Sequence, residues 1–400
     1  MYATVFLTLD GSPDSLAGAR IGLNLARQLG CELLCAHVYD ARIHTGRFRE
    51  MEPGLPDRYQ RPEYLEELRN SHDSLISDGF HSLSRGYMDA FRAEAESAGV
   101  AARELVREGR NYVELLRAAQ ETGADLIVVG AHGLGDQGDG QPGSTAVRVL
   151  RGATCDVLVV RAGEPGGPVI AGIDGSAHSA VAARRGVVWA RVLGRPLQLV
   201  ATYDPAFHRT IFQTMARSLS PERQAAVGLD RQEELHEELI DDGLGRLYQA
   251  FLDEAVRRCT GLGVEVAGEL LTGKAYRALV DDCTHRAACL TVVGRFGHNR
   301  EPESDLGSQA EAVVRLAPHS VLVTAAANAE RQDQPQTPGL EWDPEALAKL
   351  ERVPSFARPM ARQAVEERVR AENGSRVTAE AFGAVAHAFG MGGMANRDGG

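Results

Sequence analysis

Residues 130–145 read GAHGLGDQGDGQPGST, directly after the apolar run Leu126-Ile127-Val128-Val129. Glycine has no Cβ, so backbone N–H groups in such a stretch can approach an anion closely. Ser144 and Thr145 then open a helix, whose N-terminus favours negative charge. A phosphate group is the ligand that suits this pattern. The same composition also makes ordinary solvated turns, and the stretch alone does not separate the two readings.

The pattern occurs twice. Gly130, Gly133, Gly143 and Ser144 recur as Gly294, Gly297, Gly307 and Ser308, an offset of 164 residues. Asp10-Gly11-Ser12 maps by the same offset on Asp174-Gly175-Ser176, Tyr39-Asp40 on Tyr203-Asp204, Gly79 on Gly243, and Gly109 and Tyr112 on Gly273 and Tyr276. A near-gapless internal duplication accounts for all of these.

The elements that must position the loops follow from the apolar periodicity. Short apolar runs alternate with helical patterns, which implies a parallel sheet covered by helices on both faces. In the first copy the runs predict strands near 2–9, 32–38, 101–107, 125–130 and 156–161. Helices are predicted near 14–29, 70–98, 111–122 and 144–152, and the second copy repeats the set. The polar stretches 41–69 and 205–230 are too long for ordinary connections and are expected to be part helical and part mobile. The expected domains are residues 1–163, 164–325, a linker over 326–340, a helical module over 341–388 and a glycine-rich tail over 389–400. The two copies are expected to pair edge to edge through Val157–Val160 and Val321–Val323, as a pseudo-dimer within one chain. Further homo-oligomerisation is compatible with this.

Composition narrows the function classes. The chain has 400 residues, 44% of them hydrophobic, and a formal net charge of −12. No Lys/Arg block stands out, which argues against nucleic-acid and anionic-membrane partners. The start, MYATVFLTLDGS, reads as a first strand and not as a signal peptide. The six cysteines show no CxxC pair and read as reduced thiols, Cys31 and Cys35 as small buried apolar groups. A cytoplasmic location is the corresponding expectation.

The spacing G-x2-G-x9-G-S, the strand-one Asp before Gly-Ser, and the closing phrases VRVLRGATCDVLVV and EAVVRLAPHSVLVT resemble the universal stress protein family over roughly residues 1–325. The resemblance implies an α/β fold of two tandem five-stranded parallel-sheet, Rossmann-like domains (adenine nucleotide alpha hydrolase-like), with ATP across the carboxyl ends of the strands. It implies that Gly130, Gly133, Gly143, Ser144 and Thr145, and in the second copy Gly294, Gly297, Gly307 and Ser308, surround ribose and phosphates. Asp10 and Asp174 would accept from adenine or ribose donors, and Val38 would line the adenine pocket, with Ala201 and Thr202 near the corresponding place. The loops depart from a phosphate site in their carboxylates: Asp136 and Asp139 in the first, Glu301, Glu303 and Asp305 in the second. Mg2+ is the expected remedy. Arg295, Arg300 and His298 partly offset the charge, in the second copy alone.

The segment WDPEALAKLERVPSFARPMARQAVEERVRAENGSRVTAEAF is similar to the short domain that ends the B subunit of light-independent protochlorophyllide reductase. The likeness rests on residues such as Trp342, Pro344, Glu345, Arg362, Val365-Glu366 and Val377-Thr378. That enzyme's catalytic cysteines have no counterpart here, so the expectation transferred is a small helical docking element. His44 with His208, and His72 with His236, pair by the 164 offset, the latter two each six residues before an Asp (Asp78 and Asp242). They read as helix-surface histidines retained since the duplication, with a metal or acid–base role beside an Asp as the alternative. With no nucleophile–base pair or metal cluster in view, the expected function is an ATP-binding regulatory or stress-response protein whose nucleotide state is read by a partner. A nucleotide-free adaptor using the C-terminal module, and a slow ATPase, are the other readings.

Overall fold

A computed structural model describes residues 2–135, 140–163, 165–220, 222–224, 242–297, 305–325, 340–353, 358–372 and 374–388. Asp136, Asp139, His236, His298, Arg300, Glu301 and Glu303, the linker from 326 to 339 and the tail from 389 lie outside them. The chain divides into two compact units, one of Met1–Pro165 with Val314–Val323, the other of Gly166–Val313 with Thr324–Gly400.

In the first unit the elements are β1 (Thr4–Thr8), α1 (Pro13–Leu29), β2 (Glu32–Tyr39), α2 (Ala41–Met51), α3 (Pro62–Ser97), β3 (Ala102–Glu108), α4 (Asn111–Glu121), β4 (Leu126–Gly130), α5 (Ser144–Gly152) and β5 (Asp156–Val160). The strands are parallel in the order β3-β2-β1-β4-β5. β4, LIVVG, and β5, apolar after Asp156, are buried along their length, as a sheet flanked by helices requires, and buried Asp156 accepts from Tyr2 Oη at 2.8 Å. Outer β3, ARELVRE, has no fully buried residue and carries four charged side chains, which blunts that edge. Its other edge is covered: β10 (Ser320–Thr324), the last strand of the second copy, runs antiparallel to β5 with Val321 opposite Val159 and Val323 opposite Val157. This is the strand pairing expected from the two apolar runs.

The second copy repeats the plan with β6 (Val169–Ile173), α6 (Ala177–Leu193), β7 (Leu197–Tyr203), α7 (Pro205–Ser218), α8 (Asp242–Cys259), β8 (Val266–Thr272), α9 (Ala275–His285), β9 (Leu290–Gly294) and α10 (Ser308–Leu316). Its strands run parallel in the order β9-β6-β7-β8. The two DGS motifs start their helices identically. Ser12 Oγ accepts from Ser15 N at 3.2 Å and Ser176 Oγ from Ser179 N at 3.1 Å. Gly30 and Gly194 end α1 and α6 in the left-handed conformation, φ +68° and +63°.

Two expectations need revision. The helix expected from about residue 70 begins at Pro62, because Pro fits the first helical turn, where its missing N–H costs nothing. Most of the stretch 41–69 is therefore helical, in α2 and the start of α3. Beyond the repeats, β11 (Glu341–Trp342), α11 (Pro344–Glu351), α12 (Arg358–Ala371), β12 (Arg376–Val377) and α13 (Ala379–Ala388) form the C-terminal module. The module read as helical also holds a short parallel ladder, β11 on β12, with Glu341 opposite Arg376 and Trp342 opposite Val377. Its core is small: Trp342, Leu350, Val365, Val377 and Phe382 are buried together with Glu366, which accepts from Trp342 Nε1 at 2.9 Å and pairs with Arg362 and Arg370.

No helix among the described residues is long and apolar enough to cross a membrane. The six cysteines form no disulfide, and Cys31 and Cys35 are buried.

Candidate functional site

The loop after β4 is held by backbone bonds at both ends. Ala131 N donates to Val160 O at 2.7 Å, and Gly143 N donates to Ala131 O at 2.7 Å, which closes the loop just before α5. From below, buried Asp14 accepts from His132 N at 2.9 Å, from the His132 ring at 2.7 Å and from Ala162 N at 2.5 Å. Arg161, buried beside β5, donates to Gly140 O at 3.1 Å. The glycines have local reasons. A Cβ on Gly130 would lie 3.0 Å from Ser15 N, and one on Gly133 would lie 3.2 Å from Asp10 Oδ2.

Above this loop lies a cavity of about 410 Å³ at the carboxyl ends of β1, β2 and β4. Asp10, Val38, Gly130, Gly133, Gly143, Ser144 and Thr145 all line it, so the structure brings the predicted first-copy residues to one place. Two helices begin at its wall. Gly143 at the α5 N-cap and Arg110 at the α4 N-cap make no side-chain capping bond, so the leading amides, Ser144 and Thr145 of α5 and Asn111 and Tyr112 of α4, are left for another acceptor, while Val113 N donates to Arg110 O at 2.9 Å. The contrast is with α1, whose N-terminus Ser12 has already satisfied.

Sequence reading assigned Asp10 to a ligand, and half of that carboxylate is otherwise engaged. Its Oδ1 accepts from Ser12 N at 3.0 Å and Ser12 Oγ at 2.6 Å, fixing the turn into α1. Its Oδ2 is the oxygen beside Gly133. Tyr87 lies over Gly11, where φ is +78° and a Cβ would stand 2.5 Å from the ring. Burial, with the charge of Asp10 adding to it, raises the Tyr87 phenol above its ordinary value. His37 stacks on Tyr87 with ring centres 5.2 Å apart, and burial lowers its imidazole.

Several groups were missed. Asn111 and Leu115 of α4, Ser15 of α1 and Gln141 of the loop also line the cavity. Tyr112, next in the chain to Asn111, has its phenol lowered by the nearby Arg110 and Arg148, and Arg148 stands 4.8 Å from the ring centre. These two arginines supply positive charge that the loop itself lacks. The one available signal was Tyr112, which the duplication pairs with Tyr276.

The second copy keeps the same backbone. Gly307 N donates to Arg295 O at 2.9 Å, and Asp174 Oδ1 accepts from Ser176 N and Oγ at 2.9 and 2.6 Å. A Cβ on Gly297 would lie 2.8 Å from Asp174 Oδ2, and one on Gly294 2.8 Å from His178 Cβ. Ser308 opens α10, Ala201 is buried in β7, and Thr202 follows it. Among the described residues no group of three or more His, Cys, Asp or Glu could hold a metal ion. His72 stacks on Phe48 at 4.3 Å, and His44 lies 5.4 Å from Phe80; Asp78 accepts from Ser74 Oγ and not from His72.

The chain is similar in sequence to known proteins. A universal stress protein of Thermus aquaticus is 32% identical over 163 residues, 40% of this chain and all of that protein. One of Synechocystis is 37% identical over 160 residues, 40% of this chain and 86% of that protein. The crystal structure of a universal stress protein from Archaeoglobus fulgidus covers 81% of this chain and 98% of its own, at 16% identity and a TM-score of 0.46. Residues 342–385 match the model of the family described as the proto-chlorophyllide reductase 57 kD subunit. The model of the universal stress protein family matches twice, over residues 1–161 and 167–325, each match holding one of the duplicated loops, and the chain therefore belongs to that family.

Proposed function

We propose that this universal stress protein binds ATP, with Mg2+, in the cleft of its first repeat and acts as a regulatory protein whose nucleotide state is read by a partner. The observation that carries the reading is the meeting of two uncapped helix N-termini with a glycine-lined loop at one cavity. Amides at helix starts point at an anion and the helix dipole favours it. The Ser144 and Thr145 hydroxyls add donors to phosphate. Val38, Ala36 and Leu115 offer an apolar wall for a base, and Asp10 Oδ2 an acceptor for a base amino group or a ribose hydroxyl. Arg110 and Arg148, beside Tyr112, would add positive charge for a polyphosphate tail, and Mg2+ would offset the carboxylates of the loop.

The C-terminal module is the docking element in this proposal, because it folds around its own small core and ends in helices suited to a partner surface. The chain acts without covalent chemistry on the nucleotide. Mass spectrometry of protein purified without added nucleotide, followed by calorimetric titration with ATP in the presence and absence of Mg2+, tests the reading. Retained adenine nucleotide and Mg2+-enhanced binding are expected. Absence of binding at millimolar ATP would leave the nucleotide-free adaptor as the better account, and rapid multiple-turnover hydrolysis would make the protein an ATPase.

A further inference from the structure

The two repeats share a backbone but differ at the residues that face the cleft. Gly143 N bonded to Ala131 O, and Gly307 N bonded to Arg295 O, fix the correspondence of the loops. Ala131 and Thr145 of the first repeat therefore stand where Arg295 and Gln309 stand in the second. In the first repeat both line the cavity.

In the second repeat both positions are used internally. Arg295 is 3% exposed, and its Nη1 donates to Asp305 O at 3.0 Å. Asp305 is the counterpart of Gln141, which lines the first cavity. The guanidinium thus runs from the end of β9 to the returning limb of the loop. Gln309 Oε1, from the first turn of α10, accepts from Tyr276 N at 3.1 Å, in the first turn of α9. Tyr276 N is the counterpart of Tyr112 N, at the helix start that the first repeat leaves without a side-chain cap. The polar cavity residue Asn111 is replaced by Ala275.

We infer that the second repeat has lost its ligand site to its own side chains, Arg295 and Gln309, so that the chain takes one nucleotide and not two. The inference rests on the nucleotide reading of the first repeat and adds which repeat is competent. An incoming phosphate at the second repeat would compete with Gln309 for the α9 amide and would have to displace a buried guanidinium from its carbonyl. Buried donors of this kind are costly to uncouple, so the closed form is the resting form.

The test counts Mg-ATP bound per chain at saturation by equilibrium dialysis on the full chain. One per chain is expected for the native protein. Arg295→Ala combined with Gln309→Thr, which installs the first-repeat residues, should raise the count to two. The reciprocal pair, Ala131→Arg with Thr145→Gln, should lower it to zero. A native count of two, or an opened variant that stays at one, overturns the inference and leaves the nucleotide reading standing. A native count of zero removes that reading and this inference with it. Photolabelling of the native chain with an azido-ATP gives a check that needs no variant. Label confined to peptides within residues 8–145 is expected, and label within 166–313 overturns the inference.

Discussion

Gly143 and Gly130 belong to one loop, yet their substitution separates binding from folding. A Cβ on Gly143 meets only Ala131 O, at an ordinary 3.4 Å, whereas one on Gly130 would press on Ser15 N at 3.0 Å. Gly143→Val is therefore expected to leave the melting temperature near that of the native chain while abolishing ATP binding in calorimetry, because the added methyls obstruct the anion's approach. Gly130→Val is expected to destabilise by roughly 1–3 kcal/mol in denaturant titration, the usual cost of overpacking. Ser144→Ala removes one charge-assisted donor and should weaken ATP binding roughly tenfold to a hundredfold, read by the same calorimetry. A retained native affinity in both Gly143→Val and Ser144→Ala would place the ligand elsewhere. His319, buried just before β10, supplies a pH signature. Burial and the neighbouring Arg161 charge push its imidazole from 6.5 down to about 4. The unfolded chain then binds the extra proton between those values, so stability falls as pH drops through that window and is level above it. The loss should be on the order of 3 kcal/mol. Melting between pH 7 and 4 should show it in the native chain and much less of it in His319→Gln.

At the scale of elements, the module after residue 340 is the place where one buried contact decides folding. Trp342 Nε1 donates to Glu366, and Arg362 lies over the indole with its guanidinium 5.4 Å from the ring centre. Glu366→Ala strands the indole N–H and leaves the two arginines without their shared partner. Hydrogen exchange should then show protection lost across residues 341–388 and unchanged in the repeats; a spread of the loss into β1 or β6 would mean the module is not separate. The strands and the loop glycines were legible in the sequence because each is a local signal: an apolar run, a fixed spacing. The N-terminal part of α3 was not, since its polar residues hide a helical period behind Pro62. Arg110 and Arg148 were equally invisible, one at a helix cap and one in the second turn of α5, and only folding brings them to Tyr112. The double use of Asp10 also needed coordinates. A carboxylate before Gly-Ser serves the turn into α1 with one oxygen and faces the cleft with the other, and sequence cannot apportion the two.

For the whole molecule, a chain ending at Thr324 keeps both repeats and every residue of the proposed cleft. It is expected to bind ATP as the full chain does and to lose the partner, as read by affinity capture compared between the two. Retention of every partner by the shortened chain would take the docking role away from the module.

The antiparallel seat of β10 beside β5 has a consequence for biosynthesis. Val157, Leu158, Val159 and Val160 are buried and apolar, and the strand that covers them is encoded about 160 residues downstream. At roughly 5–20 residues per second, the ribosome takes on the order of ten to thirty seconds to deliver it. Throughout that interval the nascent first repeat carries an open sheet edge, a template for pairing with neighbouring chains on the same message. Chains arrested on the ribosome before Ser320 should therefore be cleaved readily by protease near β5 or recruit a chaperone, and chains arrested well beyond Thr324 should do neither.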